Sequence, residues 1–161
     1  MRGSSIDIEN ELRSVADEVE MLASAVELVR RDSPPAGETA YTWLAVQGLA
    51  SGVEKIYTGC ERVMGMIAQQ IDGAKVERDE GWHVALLKRM ANPFPEVRGP
   101  VISHESYQAL DRLRAFRHRE RNTYGLSLDR DLVVERSEEA VDAFQRFQSD
   151  VLRFLILQRG S

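Results

Sequence analysis

The spacing of apolar residues in the first half of the chain is the feature that most limits its fold. Two stretches place apolar side chains at alternating steps of three and four residues, which is the spacing of one face of an amphipathic helix. These side chains are Ile8, Leu12, Val15, Val19, Leu22, Val26 and Val29 in the first stretch, and Val46, Leu49, Val53, Ile56, Cys60, Val63 and Ile67 in the second. The spacing predicts a helix over residues 5–31 and a second long helix that ends near Asp72 and Gly73. Each helix must bury its apolar face against a neighbour, so the pattern favours a helical bundle.

Local signals in the second half predict three more helices. Residues 79–92 suit a short helix that Pro93 ends. Ser103 is a good N-cap for a fourth helix that reaches Tyr124, and Ser137 is expected to cap a fifth. No sustained alternation of apolar and polar residues indicates a strand. We therefore predict an all-α antiparallel bundle of four long helices plus a short one.

Length and composition indicate one globular domain. The chain has 161 residues, of which 43% are hydrophobic, so a single domain over residues 1–161 is expected. Residues 1–4 and 159–161 are typical of sequence added at the ends of an expressed chain. No apolar run approaches the ~18 residues that a membrane span needs, and we expect a cytoplasmic protein without membrane contact. One cysteine and three scattered histidines offer no metal-binding spacing, so we expect no metal and no cofactor.

Positive charge is concentrated in one place. The net charge of the chain is −5, yet residues 112–121 contain five arginines against a single glutamate. A basic stripe on an acidic protein can attract nucleic acid locally. Cations also favour helix C-termini for electrostatic reasons alone, so from the residues alone Arg112, Arg114 and Arg119 are interpreted as a solvated face.

The same stripe contains side chains suited to RNA cleavage. Helical spacing puts His118 one turn from Asn122 and Arg117 one turn from Arg121, with Tyr124 two turns after Arg117. Arginine binds phosphate oxygens with two donors, and histidine exchanges a proton near neutral pH. These groups suit metal-free cleavage of RNA, in which a base removes the 2′-hydroxyl proton and cations stabilise the charge that develops on the phosphate.

Other residues that could carry chemistry are assigned structural roles at this stage. His83, His104 and both tryptophans are expected to pack or to lie beside loops. Gly48 and Gly52 are expected to form a flat strip on the second helix that lets another backbone approach closely.

Three segments together resemble a known family. They read SGVEKIYTGCERVMGMIAQQIDG, EGWHVALLKRMANPFPEVRGPVIS and FRHRERNTYGLSLD. They are similar to the HepT-like ribonuclease toxins of the HEPN superfamily, over most of residues 5–158. The resemblance implies a HEPN-like helical bundle that dimerises, with its ribonuclease site formed where two copies of one motif face each other.

The motif of that family is an arginine, usually followed by asparagine, then after three more residues a histidine, one residue and a tyrosine. Arg117 and Tyr124 hold the first and last places with the right spacing. His118 stands where the family usually has asparagine, and Asn122 where it has histidine. The resemblance implies that Arg117 stabilises the phosphate, that His118 is the general acid or base, and that Asn122 orients the substrate or His118.

The resemblance also implies partners and a function. The chain would be the metal-independent endoribonuclease toxin of a type II toxin-antitoxin pair. Arg121, which the family's short motif lacks, and Arg114 are our own additional candidates for binding the RNA substrate. An MNT nucleotidyltransferase antitoxin would neutralise the homodimer by adding AMP to Tyr124. A non-catalytic helical module that binds nucleotide or a partner protein, and a purely structural oligomer, are the alternatives. The sequence does not separate the enzyme from the module.

Overall fold

The computed structural model describes residues 2–32, 39–121 and 129–160, except for the side chains at positions 2, 4 and 118–121. Five helices occupy these ranges: α1 Arg2–Arg31, α2 Thr39–Gln70, α3 Trp82–Ala91, α4 His104–Arg121 and α5 Arg130–Arg159. No strand occurs in them, and one isolated bridge joins Phe94 to Arg98. The prediction of an all-α bundle with four long helices and a short one is confirmed. None of the described helices combines the length and the apolar character that a membrane-spanning segment requires.

The core lies where α1, α2 and α5 pack on one another. Every side chain of the two predicted apolar stripes is buried, which confirms both helical faces. Ion pairs join Arg30 to Glu138 and Arg159 to Glu9, so α1 runs antiparallel to α5. α1 is also antiparallel to α2, because Val15 lies opposite Gly59 and Leu22 lies opposite Gly52. The three longest helices therefore build the apolar centre against which α3 and α4 are placed.

Two glycines of α2 allow α1 to approach it closely. Only one of the two glycines that were predicted to do so is among them. A Cβ atom at Gly59 would lie 2.5 Å from a Val15 methyl carbon, and one at Gly52 would lie 2.8 Å from a Leu22 methyl carbon. At Gly48 the same atom would meet nothing within 4 Å. The prediction of close packing is thus correct for Gly52 and wrong for Gly48, which faces away from α1.

A buried carboxylate attaches the start of α4 to α5. Asp150 accepts hydrogen bonds from the Ser103 backbone N–H at 2.9 Å and from the Ser106 hydroxyl at 2.6 Å. The Ser103 hydroxyl in turn accepts from the Ser106 backbone N–H at 3.2 Å, which confirms Ser103 as the N-cap. Burial alone would raise the pKa of Asp150, but these hydrogen bonds and the charge of Arg153 outweigh it and hold that pKa below its usual value.

The start of α5 differs from the prediction. Asp129 is the N-cap, and its carboxylate accepts the N–H groups of Asp131 at 2.7 Å and Leu132 at 3.2 Å. Ser137 is fully buried within the helix, and its hydroxyl donates to the Val133 carbonyl at 2.7 Å. The prediction that Ser137 caps α5 is therefore wrong. Val133 joins the core, so packing extends the helix beyond the local capping signal at Ser137.

The connection between α3 and α4 is held by a buried arginine. The Arg98 side chain is fully buried and donates to the Asp72 carboxylate at 2.6 and 2.9 Å. It also donates to the carbonyls of Asn92 and Gly99, both at 3.0 Å. Because Asp72 lies two residues after the end of α2, these bonds fix the position of α3 beside the end of α2.

Candidate functional site

Arg117 lies buried where α4 packs on α2. Its NH1 donates to Oε1 of Glu61 at 3.0 Å, and its guanidinium carbon lies 5.4 Å from the centre of the Tyr57 ring. Its Nε is 4.0 Å from a carboxylate oxygen of Glu54 and has no hydrogen-bond partner among the described residues. The neighbouring Phe116 belongs to the buried core. Arg117 is thus fixed by an internal ion pair and a cation–π contact, although part of its guanidinium has no hydrogen-bond partner.

Glu61 links three helices through its carboxylate. Only 6% of its side chain is exposed, and while Oε1 accepts from Arg117, Oε2 contacts Nδ1 of His83 on α3. A neutral imidazole that donates from Nδ1 keeps Nε2 as an acceptor. The network therefore places an imidazole ring and an arginine on the two oxygens of one buried carboxylate.

Tyr57 forms the floor beneath Arg117. The side chain is fully buried, and its hydroxyl has no hydrogen-bond partner among the described residues. Burial, reinforced by the negative charge of Glu61, raises the pKa of the Tyr57 hydroxyl far above its usual value. Tyr57 is therefore a neutral phenol, and its contribution is the ring face that it presents to the Arg117 cation.

A groove of about 430 Å³ opens beside Arg117, between the last turns of α2, the segment after it and the start of α3. Trp82 lines it, and Glu61 is its one carboxylate among the described lining residues. The cations that line the groove are Arg62, Lys75, Arg78 and Arg117. The Arg78 guanidinium lies 5.0 Å from the centre of the Trp82 ring. The groove thus combines positive charge with an aromatic surface, which is the combination that nucleic-acid sites use.

The other predicted site residues are described only in part. Nε of Arg114 donates at 2.9 Å to an aspartate one turn earlier on α4. The backbone of His118 and of Arg121 lies in the last turn of α4, while their side chains are outside the description. Asn122 and Tyr124 lie outside the described residues. The roles assigned to these residues and to Arg117 stay predictions.

Sequence reasoning missed Glu61, His83 and Trp82. His83 was assigned a structural position beside a loop and Trp82 was assigned to packing. Trp82 does pack against the core, and it also lines the groove. The packing expectation is wrong for Trp43, which is 47% exposed. Glu61 gave one available signal, because it follows Tyr57 by one helical turn and so lies on the same face of α2. No group of three or more His, Cys, Asp or Glu placed to hold a metal ion occurs in the described part of the chain.

Comparison with known proteins identifies the family. The family described as HepT-like protein matches residues 48–157, a stretch that contains Glu61, His83, the groove and Arg117. The chain belongs to the HepT-like protein family. The five-helix bundle of this HepT-like chain agrees with a HEPN-like fold. No curated protein and no solved structure matches the chain. Within this HepT-like protein, α1 lies before the matched stretch and still supplies one side of the core.

Proposed function

We propose that this HepT-like protein is a metal-independent endoribonuclease toxin that cleaves RNA at a composite site across a homodimer. The observation that carries the proposal is the position of Arg117. This residue, the first of the motif, borders a groove lined by three further cations. A polyanionic substrate fits such a groove.

The chemistry follows from the side chains of the motif. His118 removes the proton from a 2′-hydroxyl, the oxygen attacks the adjacent phosphorus, and the bond to the 5′-oxygen breaks as that oxygen takes up a proton. Arg117 stabilises the negative charge that develops on the phosphate, and Asn122 orients the substrate or His118. Arg114 and Arg121 bind neighbouring phosphates. The products carry a 2′,3′-cyclic phosphate and a 5′-hydroxyl, and DNA is not cut because it lacks the attacking oxygen.

The homodimer is proposed to place the ends of the two α4 helices opposite each other across a basic cleft. Like charges then lie close together, so added phosphate or RNA should stabilise the dimer. Light scattering at micromolar concentration should give the mass of two chains. A monomer under those conditions contradicts the composite site.

Control by a nucleotidyltransferase antitoxin is proposed to act at Tyr124. Transfer of AMP from a nucleoside triphosphate to the Tyr124 hydroxyl, with release of pyrophosphate, would add bulk and negative charge beside the arginines and exclude RNA phosphates. Intact mass after co-expression with the antitoxin should show one or more added AMP groups. The Tyr124→Phe variant should show none, and an unchanged addition in that variant would move the modified residue elsewhere.

The decisive experiment is cleavage of a labelled RNA in EDTA, on protein whose intact mass has been measured. We expect EDTA to have no effect and a 2′-O-methyl RNA to resist cleavage. Alanine at Arg117 or His118 should lower the rate by roughly 100-fold or more, the usual scale for oxyanion donors and general acids or bases. Arg119→Ala is the matched control from the same turn and should matter much less. Absence of cleavage under all conditions contradicts the enzyme.

The inverted motif gives a second test. Because His118 and Asn122 are one helical turn apart, the double change His118→Asn with Asn122→His keeps both groups on one helical face. We expect this variant to retain or raise activity. If it is inactive while the wild type cuts RNA, the two arrangements are not equivalent and the alignment of the motif is wrong.

One observation favours a second candidate function, a non-catalytic helical module that binds nucleotide or a partner. NH1 of Arg117 is already bound to Glu61, so part of the charge that would act on phosphate is neutralised within the chain. Toxicity on expression that His118→Ala relieves would favour the enzyme. Harmless expression with full partner binding would favour the module.

A further inference from the structure

Two cations in the groove have no carboxylate partner in the part of the chain that the structure describes. Arg62 is paired with Glu11 of α1 and Arg117 with Glu61. Lys75 and Arg78, by contrast, form no ion pair with any residue in the described ranges. Both line the groove and belong to the exposed segment between α2 and α3. Their charge is therefore available to an anion that enters the groove.

Trp82 adds a flat surface next to these charges. It is the first residue of α3, it is half-buried, and it lines the groove. The guanidinium carbon of Arg78 lies 5.0 Å from the centre of the Trp82 ring. The centre of the His83 ring lies 3.8 Å from that of Trp82, and the two ring planes are tilted by 33°. A nucleobase could take the place of the Arg78 side chain on the indole, because contacts between exposed cations and aromatic rings are weak. The displaced guanidinium would then be near the phosphate of the same nucleotide.

The size of the groove suits one nucleotide unit. Its volume of about 430 Å³ lies within the range of pockets that hold small organic ligands. Arg117 borders the same space, and its Nε has no hydrogen-bond partner among the described residues. A nucleotide in the groove would therefore hold its strand next to the arginine at the start of the motif.

We infer that this groove binds one nucleotide of a single-stranded RNA, with its phosphate on Lys75 and Arg78 and its base stacked on Trp82. The inference rests on the proposed function, since it seats the substrate of that reaction beside Arg117. An acidic peptide would satisfy the cations but would offer no flat ring to replace the Arg78 guanidinium on the indole. Stacking on an aromatic ring accepts any base, so the site contributes affinity without strict sequence preference.

Two glycines of α2 supply a matched pair of variants. Gly65 lines the groove, Gly48 does not, and a Cβ atom at either position meets nothing within 4 Å. Gly65→Glu therefore adds a negative charge inside the groove without a clash at Cβ, while Gly48→Glu adds the same charge elsewhere on the same helix. Replacing a helical glycine also favours the helix, so both variants are expected to fold.

The experiment follows the fluorescence of Trp82. The chain has two tryptophans, and Trp43→Phe leaves Trp82 as the reporter. This protein is titrated with a short 2′-O-methyl oligoribonucleotide, which binds but resists cleavage. We expect quenching of the Trp82 emission, and we expect Gly65→Glu to weaken binding about tenfold or more while Gly48→Glu leaves it unchanged. In a separate titration with labelled RNA, Trp82→Leu should weaken binding by about tenfold.

Three results would overturn the inference. They are no quenching on RNA binding, an equal loss of affinity in Gly65→Glu and Gly48→Glu, and binding of polyglutamate as tight as that of RNA. Because the RNA is not cleaved, the outcome is independent of catalysis. Quenching by RNA in a protein that never cuts RNA contradicts only the proposed function. If the protein cuts RNA and Gly65→Glu does not change its affinity for RNA, only the inferred binding of RNA in the groove is contradicted.

Discussion

Removal of the Arg117 guanidinium should destabilise the fold. Under the proposed function it should also slow RNA cleavage. Arg117→Met keeps most of the volume of the side chain and deletes its charge. The exposed fractions of the paired side chains are 10% for Arg117 and 6% for Glu61, so water hardly screens the ion pair. The change leaves the carboxylate of Glu61 buried with His83 as its remaining partner.

The magnitude follows from this burial. Loss of one partner from a buried ion pair costs about 3–5 kcal/mol of the free energy of unfolding. His83 stays on the other carboxylate oxygen, so Arg117→Met should fall near the lower end of that range. Glu61→Gln should cost a similar amount, because it leaves the guanidinium without its closest carboxylate. The double variant should cost less than the sum of the two, with a coupling of about 1–3 kcal/mol.

The assay is urea unfolding followed by far-ultraviolet circular dichroism, at one fixed protein concentration because a dimer makes stability depend on concentration. Arg114 supplies the control, since its ion pair with Asp111 on the same helix is 28% and 41% exposed. Arg114→Met should cost no more than about 1 kcal/mol. If the single changes at Arg117 and Glu61 add up in the double variant, or if Arg117→Met costs no more than Arg114→Met, the buried pair does not hold α4 to α2.

Three further predictions concern stability and the single thiol. Gly59→Ala should destabilise the bundle, because overpacking against the stiff Val15 side chain costs about 1–3 kcal/mol while the gain in helix propensity is only about 1 kcal/mol. Gly48→Ala should stabilise the bundle by about 1 kcal/mol, because its Cβ meets no neighbour. The urea midpoints of the two variants are compared. The pKa of Asp150 is lower in the fold than in the unfolded chain, so its stabilisation is full above the unfolded pKa of about 3.9 and is lost as the pH falls through the folded value. The difference in free energy of unfolding between wild type and Asp150→Asn should therefore shrink below about pH 4, and a constant difference would argue against the carboxylate. Cys60 is fully buried and burial raises the pKa of its thiol, so Ellman's reagent should react with it only as fast as the chain unfolds, and a rapid reaction in buffer would contradict that burial.

The helices were predictable because their signals are local. The alternating spacing of apolar residues determined which faces of α1 and α2 are buried, and Ser103 was recognisable from its own hydroxyl and from Glu105 in the first turn. The start of α5 was misjudged because Ser137 with two following glutamates is as good a local capping signal as Asp129. Only the packing of Val133 in the assembled core decides between them.

From the sequence, only the site residues that belong to one linear motif could be predicted. Arg117 stood out in the arginine stripe, but its partner Glu61 is 56 residues away in sequence, on another helix. The contact of Glu61 with His83 also depends on how α3 is attached to the end of α2. No spacing rule within one helix contains that information, which is why the groove and its tryptophan appeared only when the helices were placed together.

The spacing of residues in α1 and α2 does not by itself decide how the two helices are aligned along their length. Contacts with α5 contribute to that choice. Gly52 and Gly59 are seven residues apart, as are Leu22 and Val15, so sliding α1 along α2 by one heptad, about 10 Å, still sets Leu22 opposite a glycine. Sliding α1 the other way sets Val15 opposite Gly52, so apolar burial and glycine packing accept more than one alignment. The contacts of α5 favour one of them, because Arg159 reaches Glu9, Arg30 reaches Glu138, and Arg130 reaches the Val29 carbonyl at 2.9 Å. The polar ends of the helices thus carry alignment information that the repeating apolar core lacks.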